Sequence, residues 1–317
     1  MNLAIFDLHC DTAYALLNNG CEQQLSLREN SLHIDLAKST SFSDYVQCFA
    51  CFTSHADPLC RALSPEKVFQ LEYDTIMRQL QNNQDMVRLA CSSEEIDRNR
   101  EKHLISAIMT IEGAAGFGYD PGRLDELYQK GFRISTLGWN DDNPLTGSHA
   151  SGGGLSERGR EYVRNAQRLG ILIDVSHISD HGFWDIMDIT ESCIIASHSN
   201  SRALHSVSRN LTDEMFRAIC LTGGIAGINL YTGFLGSQPT LDTVCDHILH
   251  FLEMDPTGKH IALGGDLDGC ESLPSGFYDL SSYMALAERM LARGISQEIL
   301  SNICWNNAKG VFDKCCT

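Results

Sequence analysis

The sequence predicts an α/β protein with the fold of a (β/α)8 TIM barrel of the metal-dependent hydrolase type. Eight short apolar runs alternate with longer amphipathic segments, and glycines mark several junctions between them. Five of the eight runs end at a His, Asp or Glu, and functional side chains of barrels lie at the carboxyl ends of strands. The 317 residues suit one barrel, so we expect a single domain over 1–317.

The eight predicted strands are short runs rich in β-branched and aromatic residues. Turn residues or helical patterns follow each of them, as a strand–helix alternation requires. They are Leu3–Phe6, Tyr45–Phe52, Leu104–Ile111, Phe132–Leu137, Ile171–Val175, Cys193–Ala196, Ile225–Leu230 and Ile261–Leu263.

Helix starts between these strands carry capping residues. Ser64-Pro65-Glu66 places an N-cap, a first-turn proline and an acidic residue ahead of an amphipathic pattern. Ser156 similarly precedes a helix over Glu157–Leu169, and Thr212 opens one over Met215–Leu221.

Glycines stand where three helices should end and strands begin, at Gly131, Gly170 and Gly223. A left-handed glycine closes a helix there and turns the chain into the next strand. The main alternative is an open doubly wound sheet, which needs a phosphate-binding turn. Gly152–Gly154 lacks the flanking residues of such a turn. The barrel is therefore favoured, with 140–154 as a mobile loop over the site.

Composition excludes several classes of partner. The formal net charge of −17 opposes binding to nucleic acid or to an anionic membrane. No signal peptide pattern or membrane-spanning run is present, which indicates a cytoplasmic protein. The 13 cysteines are scattered and read as reduced, buried thiols. Cys48 and Cys51 have a zinc-pair spacing, but on a strand they point to opposite faces.

The residues at the strand ends predict a site for two metal ions. His9 and Asp11 are two apart, so both side chains leave one side of an extended backbone. His177 and His198 follow consecutive strands and can share a second ion, and Glu112 could bridge the two. Such a pair of ions activates water for hydrolysis.

Asp266, after the last strand, suits a general base that takes the proton of water and delivers it to a leaving amine. A second role for Asp266, as another metal ligand, stays open. Asp268 lies on the same face two residues later and is the less favoured alternative for the proton transfer.

At this point the motifs together resemble those of the membrane (renal) dipeptidase family, peptidase family M19. The resemblance covers nearly the whole chain, in order. It rests on His9-Cys10-Asp11-Thr12, Ile111-Glu112-Gly113, Gly154-Leu155-Ser156 to Arg160, Leu172 to His177, Ser197-His198-Ser199, Arg209 to Glu214, and Gly264 to Gly269.

This resemblance implies a binuclear zinc barrel that hydrolyses free dipeptides, with a D-residue tolerated at the carboxyl side. His9 and Asp11 match the ligands of one Zn²⁺, His177 and His198 match those of the other, and Glu112 matches the bridge. Asp266 matches the acid/base. Arg209 matches a residue that holds the substrate carboxylate, a task that suits a guanidinium fork, and Tyr231 resembles a pocket residue.

Two departures from the family pattern affect substrate and location. The mammalian members carry a His after the fourth strand, where this chain has Gly138-Trp139-Asn140, so Trp139 can only shape or stack. Lipid-anchor signals are missing too, which favours a cytoplasmic microbial-type member. Relatives are commonly homodimers, so we expect a homodimer.

Two alternatives to a dipeptidase differ in chemistry. The first is a related barrel amidohydrolase acting on an N-acyl amino acid, cyclic amide or lactone. Its usual marks are a His-x-His after strand one and a lysine after strand four, and Phe132–Leu137 contains no lysine. The second is a metal-binding protein without catalysis.

Overall fold

The computed structural model describes residues 2–18 and 25–316, and its strands form one parallel sheet. Each strand takes its number from its place in the chain. The strands are β1 Ala4–Cys10, β2 Asp44–Phe52, β3 Val87–Leu89, β4 Ile105–Glu112, β5 Phe132–Thr136, β6 Leu172–Asp174, β7 Ile194–Ala196, β8 Ile225–Ile228 and β9 Ile261–Leu263.

The sheet closes on itself because β2 pairs with both β1 and β4. From β1 the hydrogen-bonded order continues through β9, β8, β7, β6 and β5 back to β4. Strand β3 pairs with the first residues of β4, and β5 takes over along the last ones. Eight strands thus form a closed parallel barrel, which confirms the (β/α)8 TIM barrel and excludes the open sheet.

All eight predicted strands are present, with shifted ends. The run predicted to end at Phe6 continues to Cys10, so His9 lies within β1 and not after it. Strand β3 was not predicted, because Val87-Arg88-Leu89 is too short and too polar at its centre to stand out as a pattern.

Helices connect the strands on the outside of the barrel. They are α1 Thr12–Asn18, α2 Pro58–Leu63, α3 Pro65–Asn82, α4 Ser93–Glu101, α5 Leu124–Gln129, α6 Glu157–Leu169, α7 Asp180–Met187, α8 Asp213–Thr222, α9 Thr232–Leu235, α10 Leu241–Met254, α11 Tyr283–Ala292, α12 Gln297–Ser301 and α13 Asn307–Cys315. Short 3-10 turns lie at Lys38–Ser41, Ala114–Phe117, Pro121–Arg123 and Leu280–Ser282, and a π turn at Asn302–Asn306 joins α12 to α13.

The predicted helix caps are confirmed. Ser64, Ser156 and Thr212 each accept a hydrogen bond from the backbone N–H three residues later, which satisfies an end group of the helix. Gly170 and Gly223 close their helices in the left-handed conformation, with φ of 83° and 76°.

Two groups of buried apolar side chains make the core. The smaller group receives a residue from each of the eight barrel strands, so it fills the barrel interior. The larger group lies between the strands and the surrounding helices. Strand β2 shows the separation, because Cys48 belongs to the inner group and Cys51 to the outer one. The two thiols therefore point to opposite faces, as predicted, and do not form a metal pair.

Helix α13 and the π turn before it cover the amino-terminal end of the barrel. Trp305, Ala308, Val311 and Phe312 belong to the inner apolar group, and the ring of Phe312 lies 5.2 Å from that of Phe6 on β1. The other end of the barrel is therefore the one left open to a ligand. Among residues 2–18 and 25–316, no helix has the length and apolar character needed to cross a membrane.

Candidate active site

The predicted ligand residues meet at the carboxyl end of the barrel. His9 lies near the end of β1 and Glu112 is the last residue of β4. His177, His198 and Asp266 lie in the turns that follow β6, β7 and β9. Asp11 follows β1 directly. The barrel thus brings together side chains that are up to 257 residues apart in the sequence.

Short distances connect these side chains. His9 Nε2 lies 3.4 Å from Asp11 Oδ2 and 3.9 Å from Asp266 Oδ1. The rings of His9 and His198 stack at 3.8 Å between centroids. Two overlapping sets could each hold an ion, namely His9 with Glu112 and His198, and His9 with Asp11 and Asp266.

Glu112 faces both halves of the cluster. Its Oε2 lies 3.5 Å from His9 Nε2, whereas its Oε1 lies 2.9 Å from His177 Nε2 and 3.7 Å from His198 Nε2. A carboxylate that directs one oxygen to each side has the geometry of a bridge between two cations.

Hydrogen bonds on the far side of two imidazoles fix which nitrogen faces the cluster. His177 Nδ1 donates to Asn140 Oδ1 at 2.9 Å. His198 Nδ1 lies 2.6 Å from Ser197 Oγ, which in turn donates to Asp174. Such partners leave Nε2 of each ring without a proton and free to bind a metal.

The free nitrogens of these two imidazoles face each other. His177 Nε2 and His198 Nε2 are 3.0 Å apart, and two lone pairs at that distance repel unless a cation or a proton lies between them. Burial lowers the pKa of both rings well below the usual histidine value, so the neutral, metal-binding form is favoured.

Two further buried atoms of the cluster lack partners among the described residues. His9 Nε2 and Asp11 Oδ1 make no hydrogen bond, although buried polar atoms are normally paired. Burial alone would lower the pKa of His9, but the charges of Glu112 and Asp11 raise it well above its usual value. Imidazole and carboxylate donors that converge and lack partners fit a divalent cation such as Zn²⁺.

The two carboxylate oxygens of Asp266 have different surroundings. Asn229 Nδ2 donates to its Oδ2 at 3.0 Å, while Oδ1 faces His9. Burial raises the pKa of Asp266 to about 8. Asp268 differs, since both of its oxygens accept hydrogen bonds, from Thr12 Oγ1 and the His33 backbone N–H, each at 2.6 Å. This disfavours Asp268 as the proton carrier.

A cavity of about 410 Å³ opens above the cluster. Trp139 and Tyr231 line it, and Trp139 packs against Phe52 with ring centroids 5.0 Å apart. His149 lines the cavity too. Its Nε2 donates a hydrogen bond to Asn140 Oδ1, the same oxygen that accepts from His177. An imidazole from the 140–154 segment thus reaches the cavity, although the strand before it supplies none.

Arg209 lies behind the cavity wall and, among the described residues, does not line the cavity. Its side chain is buried, and two of its nitrogens donate to Ser199 Oγ at 2.9 Å and to the His198 carbonyl at 3.1 Å. Its Nε has no hydrogen-bond partner within residues 2–18 and 25–316. Burial lowers the pKa of the guanidinium to about 10, which leaves it charged at neutral pH.

The residues that orient the ligand candidates could not be recognised from the sequence. Asn140, Ser197 and Asn229 each hold a predicted site residue through a hydrogen bond, and Asp174 accepts a hydrogen bond from Ser197. Polar residues next to strand ends are common, so sequence spacing gives no sign of which imidazole nitrogen they hold. His149 lay in a segment interpreted as a loop, and only its fold back towards His177 reveals its place.

A closed parallel barrel with imidazoles and carboxylates converging at the strand ends defines the class of barrel metallohydrolases. Within that class, the chain belongs to the membrane dipeptidase family, peptidase family M19, whose family model matches residues 1–316.

Known relatives agree with this membership. An uncharacterized dipeptidase of Schizosaccharomyces pombe is 33% identical over 66% of this chain and 53% of its own length. Another from the same yeast is 31% identical over 91% of this chain and 74% of that protein. The match to the first relative therefore spans about half of that protein's length.

Solved structures agree with the fold. The metallo peptidase of Rhodobacter sphaeroides, liganded with a phosphinate mimic of the dipeptide L-Ala-D-Ala, superposes with a TM-score of 0.89. The match covers 99% of this chain and 100% of that one at 24% identity. It shows that the barrel and its connections are shared.

Proposed function

We propose that the protein is a metal-dependent dipeptidase whose site would hold two Zn²⁺ ions, with Glu112 placed between the two sets of ligands. The division of the two Glu112 oxygens between His9 on one side and His177 with His198 on the other carries this proposal. Family membership supplies the reaction class.

The donor set divides into two half-sites. His9 and Asp11 would hold one ion, and His177 and His198 the other. The unpartnered atoms His9 Nε2 and Asp11 Oδ1 support the first half-site. The facing nitrogens of the two later histidines support the second. Mixed imidazole and carboxylate ligands suit zinc, a cation of borderline softness.

Bound there, the two ions would supply Lewis-acid polarisation of the scissile carbonyl and a nucleophilic water at neutral pH. Asp266 Oδ1 would take the proton of that water and later deliver it to the leaving amine. Asn229 keeps the other oxygen of Asp266 in place, so the proton moves at one defined atom. As a metal ligand, the open alternative, Asp266 would instead complete the set with His9 and Asp11.

A free dipeptide is the substrate that the cavity suits in size. Its terminal carboxylate would pair with Arg209 once the peptide reaches past the cavity wall, because the guanidinium is buried and incompletely bonded. Trp139 and Tyr231 would pack against the substrate side chains. A D-residue at the carboxyl side is included, since the Rhodobacter sphaeroides protein binds a mimic of L-Ala-D-Ala.

We further propose a cytoplasmic location and a homodimer. The cysteines of the described residues are all free thiols, as a reducing compartment allows, and Cys21 lies outside the described residues. Light scattering on the purified protein would measure the oligomeric state.

A combined metal and substrate assay tests the proposal. Elemental analysis should find about two zinc ions per chain, as a two-metal site requires, and a panel of L,L and L,D dipeptides should show cleavage that a chelator abolishes. Failure of zinc-loaded protein to cleave any member of the panel would overturn the proposal.

The substitution Asp266→Asn separates the roles of that residue. With Asp266 as proton carrier, kcat should fall by at least about 100-fold while zinc content stays unchanged. Loss of zinc together with activity would assign Asp266 as a ligand. The exposed Asp85, which pairs with Arg28, gives the matched control Asp85→Asn, for which both measurements should stay at wild-type values.

A further inference from the structure

Two cysteines from distant parts of the chain touch at the amino-terminal end of the barrel. Cys193 directly precedes β7 and Cys315 is the last residue of α13, 122 residues later. Their Sγ atoms are 2.7 Å apart. A disulfide bond of about 2.05 Å needs only a small further approach of these atoms.

The two thiols of the pair differ in exposure and in acidity. Both cysteines line an open surface depression with Ser192, Thr222 and Lys314, in which Cys193 is buried and Cys315 is half-buried. The hydrogen bond from Cys193, with help from Ser192, lowers the pKa of Cys315 below the usual thiol value. This contact favours the thiolate, the form that reacts with oxidants. Burial and the same contact raise the pKa of Cys193.

Helix α13 is already docked where a bond would form. Phe312 packs inside the barrel end, and the backbone N–H of Ser93 donates to the carbonyl of Cys316 at 2.9 Å. The cysteine pair therefore needs no rearrangement of the helix to close. A bond there would enclose the chain from β7 to the end of α13, and long closed loops restrict the unfolded chain most.

We propose that Cys193 and Cys315 are an oxidation-sensitive pair that closes to a disulfide and fastens α13 to the barrel. Hydrogen peroxide is the oxidant class that suits a thiolate in an open depression. The Cys315 thiolate attacks one peroxide oxygen, an S–O bond forms, the O–O bond breaks, and hydroxide leaves. The sulfur of Cys193, giving up its proton, then attacks Cys315; the S–S bond forms and the hydroxyl departs as water.

The Cys193–Cys315 pair lies at the opposite end of the barrel from the candidate active site. It would therefore change the stability of the protein and leave its chemistry unaltered. The proposal does not rest on the proposed dipeptidase activity, and its measurements use none.

Peptide mapping of the peroxide-treated full chain tests the proposal. After digestion with trypsin, mass spectrometry without reductant should find the Cys193 peptide joined to the peptide that follows Lys314, with the loss of two hydrogens. The peptide that follows Lys314 also contains Cys316, whose Sγ lies 3.8 Å from the Gly170 carbonyl. The variant Cys316→Ser should keep the link and Cys315→Ser should lose it. A link that needs Cys316, or oxidation of Cys315 to sulfinic acid without a link, would overturn the proposal.

Thermal unfolding gives an independent measurement. Peroxide should raise Tm by about 5 °C or more, and dithiothreitol should reverse the rise. Cys193→Ser should abolish the rise. The matched control Cys220→Ser, which removes a half-buried thiol outside the pair, should keep it. A rise that persists in Cys193→Ser would show that another reaction causes it.

Discussion

Asn140 holds two imidazoles with one oxygen. Its Oδ1 accepts a hydrogen bond from His177 Nδ1 at 2.9 Å and from His149 Nε2 at 3.0 Å. One side chain thus fixes a proposed metal ligand and a cavity residue in a single arrangement. Partners of this kind set the orientation and basicity of a ligating histidine.

Removing the Asn140 side chain should weaken metal binding. Asn140→Ala leaves His177 free to rotate and to exchange its proton between nitrogens, so we expect zinc affinity to fall about 10- to 100-fold. Competition with a chromophoric chelator measures the affinity. Asn306→Ala, which changes an exposed asparagine bonded to Asn302, is the control. Unchanged affinity in Asn140→Ala would show that His177 does not bind the ion through the orientation described.

At the residue scale, the sequence predicted the ligand candidates but not their supports. His9, Asp11, Glu112, His177 and His198 follow predicted strands, and parallel strands carry such residues to one end. Asn140 and His149 lie in an irregular segment, whose path depends on contacts such as the His149 N–H to His177 carbonyl bond of 2.9 Å. No local pattern encodes such a contact.

Among the elements, β7, β8 and β9 approach one another closely at glycines. A Cβ added at Gly227 would lie 2.0 Å from the Ser197 carbonyl oxygen, and one at Gly264 would lie 1.7 Å from the same atom. Only residues without a Cβ allow this approach. Because Ser197 precedes His198, the glycines set the position of a proposed ligand as well as the spacing of the strands.

Substitution of one of these glycines should destabilise the barrel strongly. In Gly264→Ala the backbone of β7 or β9 must move, and we expect a loss of about 3 kcal/mol or more in the free energy of unfolding. Urea denaturation measures it. Gly310→Ala on α13, where an added Cβ meets nothing within 4 Å, should instead stabilise by about 0.5–1 kcal/mol. A Gly264→Ala variant with wild-type stability would contradict the close approach.

Helix α3 buries a carboxyl group against the barrel. Glu72 is fully buried, and although the Phe52 amide lies near, neither oxygen makes a hydrogen bond of normal geometry to the described part of the chain. Burial, followed by the charge of Asp11, raises the pKa of Glu72 well above its usual value. The ionisable groups that face it from other elements are Asp11, Tyr14, Cys51, Asp57, Cys60 and Glu112.

This group should make stability depend on pH. In the unfolded chain Glu72 loses its proton near pH 4.3, as a free glutamate does, whereas in the folded protein it keeps the proton to a higher pH. Stability is therefore full below about pH 4.3 and falls as pH rises between the two pKa values, by up to about 1.4 kcal/mol per pH unit.

The variant Glu72→Gln cannot ionise at this position, so it should not lose stability in this way as pH rises. In chelator-treated protein, urea denaturation across pH should show the variant gaining stability relative to the wild type above pH 4.3, the usual glutamate value. Glu66→Gln changes an exposed carboxylate in the first turn of the same helix and should alter the profile little. Parallel wild-type and Glu72→Gln profiles would mean that Glu72 is ionised in the folded state.

At the scale of the whole molecule, the barrel architecture could be predicted from the sequence, but some of its strands and strand ends could not. Glycine junctions and helix caps recur in several of the strand–helix units, so alternation carried the barrel assignment. The extra pairing of β3 with β4 has no such signal, because a three-residue strand is defined by its neighbour. The length of β1 depended on its pairing with β2 as far as Cys10.

Metal removal should lower the stability of the whole barrel. Without bound ions, the carboxyl groups of Asp11, Glu112 and Asp266 face one another in a largely buried cluster with no cation between them. Because a ligand that binds only the folded state stabilises it, chelation should lower Tm by about 10 °C, and added zinc should restore it in a concentration-dependent way. Glu112→Gln should show a smaller restoration. A Tm that ignores both chelator and zinc would exclude a structural contribution from the proposed ions.

Closure of the barrel interior by α13 also affects how variants can be combined. The packed inner apolar group separates the cavity at one mouth from Phe312 and the cysteine pair at the other. Sites that share no contacts change free energies independently. Some substitutions would be selected at the open mouth for altered substrate choice, and others at the closed mouth for stability. Their effects on free energy should add when they are combined in one chain. Engineering of this protein can therefore use two separate libraries.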